Sequence, residues 1–176
     1  MEAAIVVLVI GIVAVFAAPR IVDGMREYRL NMAMRQMADL VQKVKMQSVS
    51  DNRRATLTID TANRRIGMIT YDASNNVLST QYAPLPPGVS FAMPANNVAP
   101  MTGAPIANAI SFPAPGGSTT VFQEDFNSKG FPVVNAGAIN ALYLTNGRTY
   151  RALTLNSVAG LRTFTWQGSS WRDVRR

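Results

Sequence analysis

The sequence predicts an α+β protein: one long N-terminal α-helix, half hydrophobic anchor and half amphipathic, packed against an antiparallel β-sheet head. Three observations predict it. Residues 3–18 form an unbroken apolar run that Pro19 and Arg20 close. Apolar residues then recur at Val22, Met25, Leu30, Ala33, Met34, Met37, Leu40, Val41 and Val44, close to helical period. From Ala55 the pattern changes to two-residue alternation punctuated by turn residues. The chain divides accordingly into a hydrophobic helix over 1–19, an amphipathic continuation over 20–54, and a β-rich head over 55–176 with a proline-rich loop at 83–118.

In the first segment Glu2 is the only charge ahead of the apolar run. A charged side chain at the centre of a membrane helix costs roughly 2.5–3.5 kcal/mol, less near its end, so such a carboxylate is usually there to meet a partner. The run from 3 to 18 is shorter than the roughly 20 residues a span needs. A cleavable signal peptide would show a basic n-region and a small-residue cleavage site, and neither is visible, so the segment is expected to stay with the mature protein. The charges flanking Pro19 suit a helix leaving a membrane past anionic headgroups.

In the second segment the stripe from Met25 to Val44 is expected to pack the head onto its own helix. Asp39 and Lys43 stand in the favourable i,i+4 order. Gly24 costs about 1 kcal/mol relative to alanine, and with Pro19 it marks a stretch that can bend or melt. The five methionines between 25 and 46 read as adaptable packing rather than metal ligands.

In the head, strands are expected at 55–60 and 65–71 as a hairpin, at 77–82 after a Ser74-Asn75-Asn76 turn, and from 118 to 126. Asn127 to Gly130 reads as a turn. A hairpin at 141–145 and 149–156 turns on Asn146-Gly147, a strong hairpin signal. A closing hairpin joins 160–167 to 171–174. Eight of the ten prolines lie within 83–118, which excludes a helix or a central strand there. That stretch is expected to be a long loop with one short strand near 110–112, covering the surface or touching neighbours.

Composition removes several functions. With no cysteine the head is not a disulfide scaffold, and with no histidine the commonest general base and metal ligand is missing. No phosphate-binding loop, dinucleotide fingerprint or nucleophile motif occurs. Asp125 to Gly130 mimics part of a calcium loop, but Lys129 stands where an oxygen ligand belongs, and the plain turn is the better reading. Glu124 and Asp125 are adjacent, so in a strand they face opposite ways and form no acid–base pair. No enzyme activity, cofactor or metal is expected.

Glu2, Gly11 nine residues later and Pro19 seventeen residues later stand in register within one apolar helix. This resembles the N-terminal helix of type IV pilins and type II secretion pseudopilins, which carries a Glu, a mid-helix Gly and a terminal Pro at these spacings. The resemblance implies assembly residues at Glu2, Gly11, Pro19 and Gly24. It also implies a prepilin peptidase, an assembly platform and a methylated terminal amine that meets the Glu of a neighbouring subunit. Only Met1 precedes Glu2, so the basic leader and three mature residues are expected upstream of this start. The alternative for the helix alone is an ordinary signal anchor.

The net charge of +7 is unevenly placed, with no Lys or Arg between Arg65 and Lys129. Arg148, Arg151, Arg162, Arg172, Arg175 and Arg176 cluster near Tyr150, Trp166 and Trp171. Arginines interleaved with aromatics can grip phosphates and stack on bases. The strand order and turn glycines over 126–172 resemble H-type pseudopilins and FimT-like minor pilins, some of which bind DNA through a Gly-Arg-x-Arg motif. Here Gly160-Leu161-Arg162-Thr163 keeps one of its two arginines. The other reading is that these arginines solvate strand faces or pair with acids on neighbouring subunits.

The expected function is a structural subunit of a bacterial type IV pilus-like filament. It is held in the inner membrane before assembly, and afterwards it lies in an extracellular filament or periplasmic pseudopilus among copies of itself or other pilins. The alternatives are a minor tip pilin or pseudopilin acting in secretion or DNA uptake, and a membrane-tethered binding module that never polymerises.

Overall fold

The computed structural model describes residues 2–95, 98–103, 107–133 and 140–174; within its helix the side chains of residues 2–14, 16, 18 and 19 are not described. A single helix, α1 (Glu2–Ser50), runs for 49 residues. It is unbroken through Pro19 and Gly24, where bending or melting was the expectation. One lost ladder bond at a proline and one glycine do not interrupt a helix this long in the single chain. At its far end Asn52 takes a left-handed conformation (φ 50°). Arg53 N donates to Ser48 O at 3.0 Å and Asn52 N to Val49 O at 3.2 Å, so this turn caps the last carbonyls.

Two antiparallel sheets follow instead of one. The first has the order β3-β2-β1-β5, from β1 (Ala55–Asp60), β2 (Arg65–Tyr71), β3 (Val77–Pro84) and β5 (Val121–Phe126). The second has the order β4-β6-β7-β8-β9, from β4 (Ser90–Phe91), β6 (Asn140–Thr145), β7 (Tyr150–Leu155), β8 (Leu161–Trp166) and β9 (Trp171–Asp173). The expected hairpins are present, with small shifts. β3 runs two residues further, β5 starts three later, and the Asn-Gly hairpin closes over four residues, 146–149, between Thr145 and Tyr150. Asn146 Oδ1 accepts from Arg148 N and Thr149 N at 3.0 and 2.9 Å, which holds that wider loop.

The core lies between the helix and both sheets. Leu30, Ala33, Met37, Val41 and Val44 are buried on one helix face. They meet Leu57, Ile59, Ile66 and Met68 of the first sheet and Leu142, Leu144, Leu153 and Leu155 of the second. The stripe therefore packs the head as expected, but only from Leu30 onward: Val22 and Met25 are 46% and 51% exposed. Lys43 Nζ reaches across to Gln81 Oε1 at 3.1 Å. Among the described residues no ion pair joins it to Asp39, because the β3 amide lies within reach and replaces the local partner.

On the face away from the helix, the first sheet is closed by its own side chains. Arg54 stacks on Tyr71 at 4.1 Å and Arg65 on Tyr82 at 3.9 Å. A Cβ on Gly67 would lie 2.5 Å from Gln81 O and 2.6 Å from the Tyr82 ring, so the absence of a side chain lets that ring lie flat. The proline-rich segment does the same for the second sheet. It pairs along β6 at Ser90–Phe91 and again at Ile110, opposite Leu142. Between these points Met93 and Ala109 pack on Tyr143, Ala152 and Phe164, and Trp171 Nε1 donates to Val98 O at 2.6 Å. The described parts of this loop thus serve as a cover for the chain's own sheet.

Candidate functional site

Glu2, Gly11 and Pro19 share one helix, and their side chains are among those not described. Gly24 is helical, and a Cβ there would meet nothing within 4 Å. Packing within the single chain does not require this glycine, which costs the helix about 1 kcal/mol relative to alanine. Among the described side chains upstream of Asp23, none is buried. Ile21, Val22, Met25, Tyr28 and Met32 are exposed large apolar groups on the same helix. Among the described residues no helix is long and apolar enough to cross a membrane.

The β6–β7 turn grips the helix beside this exposed stretch. Glu27 accepts from Arg151 Nη2 at 2.5 Å, Thr149 Oγ1 at 2.9 Å and Asn146 Nδ2 at 3.4 Å. Arg148 Nη1 donates to Asp23, which also pairs with Arg26 at 3.8 Å. Burial raises the Glu27 carboxyl, but the hydrogen bonds from Arg151 and Thr149 and the Arg151 charge outweigh it and hold the group below the usual carboxylate range. Two of the arginines singled out in the sequence therefore bind the chain's own helix.

Arg151 side-chain exposure is only 17%, so its truncation strands a half-buried carboxylate. Arg151→Ala is expected to destabilise the chain by about 1 kcal/mol, discounted for the exposure of Glu27. Amide exchange at residues 23–28 should accelerate. Unchanged exchange there would show that the grip does not hold the helix.

Arg162 and Arg172 lie elsewhere, at the β8–β9 end of the second sheet. Both are exposed and line a groove of 540 Å³ with Trp171, Phe164, Pro100 and Met101. Trp171 is held by edge contact with Trp166 at 5.1 Å and a tilted contact with Tyr143 at 5.6 Å. Arg175 and Arg176 lie outside the described residues. The structure thus splits the arginine cluster in two: Arg148 and Arg151 at the helix, Arg162 and Arg172 at the groove. The calcium-like stretch is a turn in which Asn127 Oδ1 accepts from Lys129 N and Phe131 N at 2.9 and 3.1 Å.

For one titratable group the sequence reading gave the opposed facing from Asp125 but missed the burial. Glu124 is 1% exposed, and Asn140 Nδ2 donates to its Oε2, joining β5 of one sheet to β6 of the other. Among the described residues its Oε1 has no partner. Burial, then the neighbouring Asp125 charge, push its carboxyl up to about 7 against the opposing Asn140 bond. Asp125 faces the other way, accepting from Thr56 Oγ1 at 2.5 Å and pairing with Arg54 at 3.5 Å. The signal was in the strand: Phe122, Glu124 and Phe126 alternate on one face, so the acid shares the face of two phenylalanines.

No protein-family model matches the chain, and no curated protein matches it. Among solved structures, the crystal structure of the type IV minor pilin FimU from Pseudomonas aeruginosa PAO1 is similar with a TM-score of 0.47 at 13% identity. The overlap covers 83% of this chain and 94% of that one. The α+β architecture itself, a long N-terminal helix on antiparallel sheets, is read directly from this chain.

Proposed function

We propose that this chain is a structural subunit of a type IV pilus-like filament, whose N-terminal helices pack together in the core while the β head faces outward. The observation that carries the reading is the Glu2, Gly11 and Pro19 spacing within one uninterrupted helix. The exposed apolar residues that continue along that helix past Pro19 support it, because a helix that has not yet met its partners leaves such a face open. The inner membrane holds residues 3–18 before assembly, and copies of this chain or other pilins replace lipid afterwards. A prepilin peptidase and an assembly platform act on it, and the stretch from Pro19 to Gly24 softens on assembly. In the packed core Glu2 meets an amine, which removes a cost of a few kcal/mol and sets the axial register.

Glu2→Ala tests this. The variant should reach the membrane fraction at the normal level yet be missing from filaments sheared off the cells. Incorporation at the wild-type level would remove Glu2 from the assembly contact, and absence of the wild-type chain itself from the sheared filaments would leave a simple tether as the reading. A minor subunit that contacts DNA is the second reading. What favours it is the groove that Arg162, Arg172 and Trp171 line together with Asp173, which brings two cations and a ring within one site for phosphate contact and base stacking. Arg148 and Arg151 contribute less to that reading, since each already has a carboxylate partner.

A further inference from the structure

Each sheet has two edges, and three of the four are managed. On β5, Gln123 N donates to Pro113 O and Val133 N to Asp125 O, both at 2.8 Å, so flanking chain covers that edge. On β6, the short β4 covers one end, while Ser111 N donates to Ala141 O and Tyr143 N to Ala109 O, both at 2.9 Å. β9 is three residues long and carries Arg172 and Asp173, two devices that discourage pairing. The fourth edge, β3, has eight residues, carries a bulge at Leu78 near its start, and among the described residues pairs with β2 alone. Among the described residues its outer side takes only the Gln36 amide, on Pro84 O at 3.3 Å. Val77 and Leu78 on this strand are 60% and 67% exposed.

Charge says what such an edge can accept. The chain carries +7, yet residues 73–123 contain no Asp, Glu, Lys or Arg. β3 therefore brings no charged side chain of its own to a contact between two copies of a cationic chain. Two cations reach the strand from outside it: Arg65, neutralised by Asp60 at 2.9 Å, and Lys43, which bonds the neutral Gln81 and keeps its charge. Pro84 blunts only the last position of the strand.

We propose that the open β3 edge is a head-to-head contact that pairs antiparallel with the β3 of a second copy of this chain, about a two-fold axis, extending the first sheet across both heads. The contact joins two edges that lack partners, and hydrogen bonds along the main chain supply it. A single strand pair buries less than the roughly 1,200 Å² of a stable interface, so two lone chains associate weakly. Many such contacts between arrays of heads act together. The pairing of two heads does not depend on the N-terminal helices, while its multiplication in arrays rests on the filament reading.

The native chain has no cysteine, so single-cysteine variants of the full chain report contacts cleanly. Thr80 is at the middle of β3 and exposed, and Ser169, in the β8–β9 turn, serves as an exposed comparator. With a short bismaleimide crosslinker, in detergent micelles and in sheared filaments, Thr80→Cys should give at least about fivefold more dimer than Ser169→Cys. Adding the exposed substitution Leu78→Lys, which puts a charge on each strand of the pair opposite the apolar ring of Tyr82, should remove that excess, about fivefold again. Ile21→Cys in parallel reports helix packing. Crosslinking at Ile21 with no excess at Thr80 overturns the edge contact and leaves the filament reading standing. No crosslinking at either overturns both. An adduct of Thr80→Cys with a different protein, identified by mass, overturns the second copy as the occupant.

Discussion

Glu124→Gln is expected to make the fold more stable at pH 8 and to flatten its pH profile. In the folded chain burial, with the Asp125 charge beside it, pushes the carboxyl up to about 7 from its ordinary 4.5. Below pH 4.5 it is protonated in both folded and unfolded chains, and its contribution is fully present. As pH rises from 4.5 to 7 the unfolded chain ionises while the folded one holds its proton, so stability falls. Above 7 the loss is complete, on the order of 3 kcal/mol. Glutamine keeps an acceptor for Asn140, but its amide leaves a donor unpartnered where Glu124 Oε1 has none, so the net gain at pH 8 is roughly 1–2 kcal/mol. The chain has no histidine, which leaves the pH 5–8 window free of the usual titrating side chain. Denaturant melts of both proteins from pH 5 to 9 decide the matter. Parallel wild-type and variant profiles would mean that Glu124 is not a buried, reluctant acid.

Phe126→Ala carries the largest expected loss, about 3–5 kcal/mol. Phe126 is fully buried at the end of β5, opposite Ala55, a large residue filling the space that a small one leaves. The turn that follows packs on the helix: a Cβ on Gly130 would lie 2.9 Å from Val49 Cγ2 and 3.0 Å from Lys45 Cγ. Collapse into the void is therefore resisted from the helix side. The melting temperature of the full chain should fall by roughly 10 °C or more. A drop of under about 3 °C would show that the site relaxes around the missing ring. Phe126→Leu should recover most of the loss, since volume rather than aromatic character is what the site needs.

Much of the architecture was legible in the chain because it is written in local periods. The helix from the apolar run through Val44, the 55–71 hairpin and the 161–173 hairpin each rest on neighbours in sequence, and each formed where its pattern stood. Local pattern was insufficient wherever a distant segment competed. Lys43 left its i,i+4 acid for Gln81, thirty-eight residues away. Val22 and Met25 continued the helical stripe, yet the head begins only at Leu30, because where a sheet ends along a helix is set by the packing of other strands. Proline kept residues 83–118 from regular structure, but proline content does not say what an irregular segment lies upon.

The sequence by itself determined the element types and the spacing of Glu2, Gly11 and Pro19, since helix and strand periods and a single charge in an apolar run need no tertiary context. Only the tertiary structure decided the division into two sheets and the burial of Glu124 against Asn140. It also decided the commitment of Arg148 and Arg151 to Asp23 and Glu27, and which of the strand edges stays open. Each of these is a pairing between residues far apart in the chain, with alternatives of nearly equal local preference. The choice among them falls to packing of the whole, where burying apolar surface and satisfying polar groups are settled together.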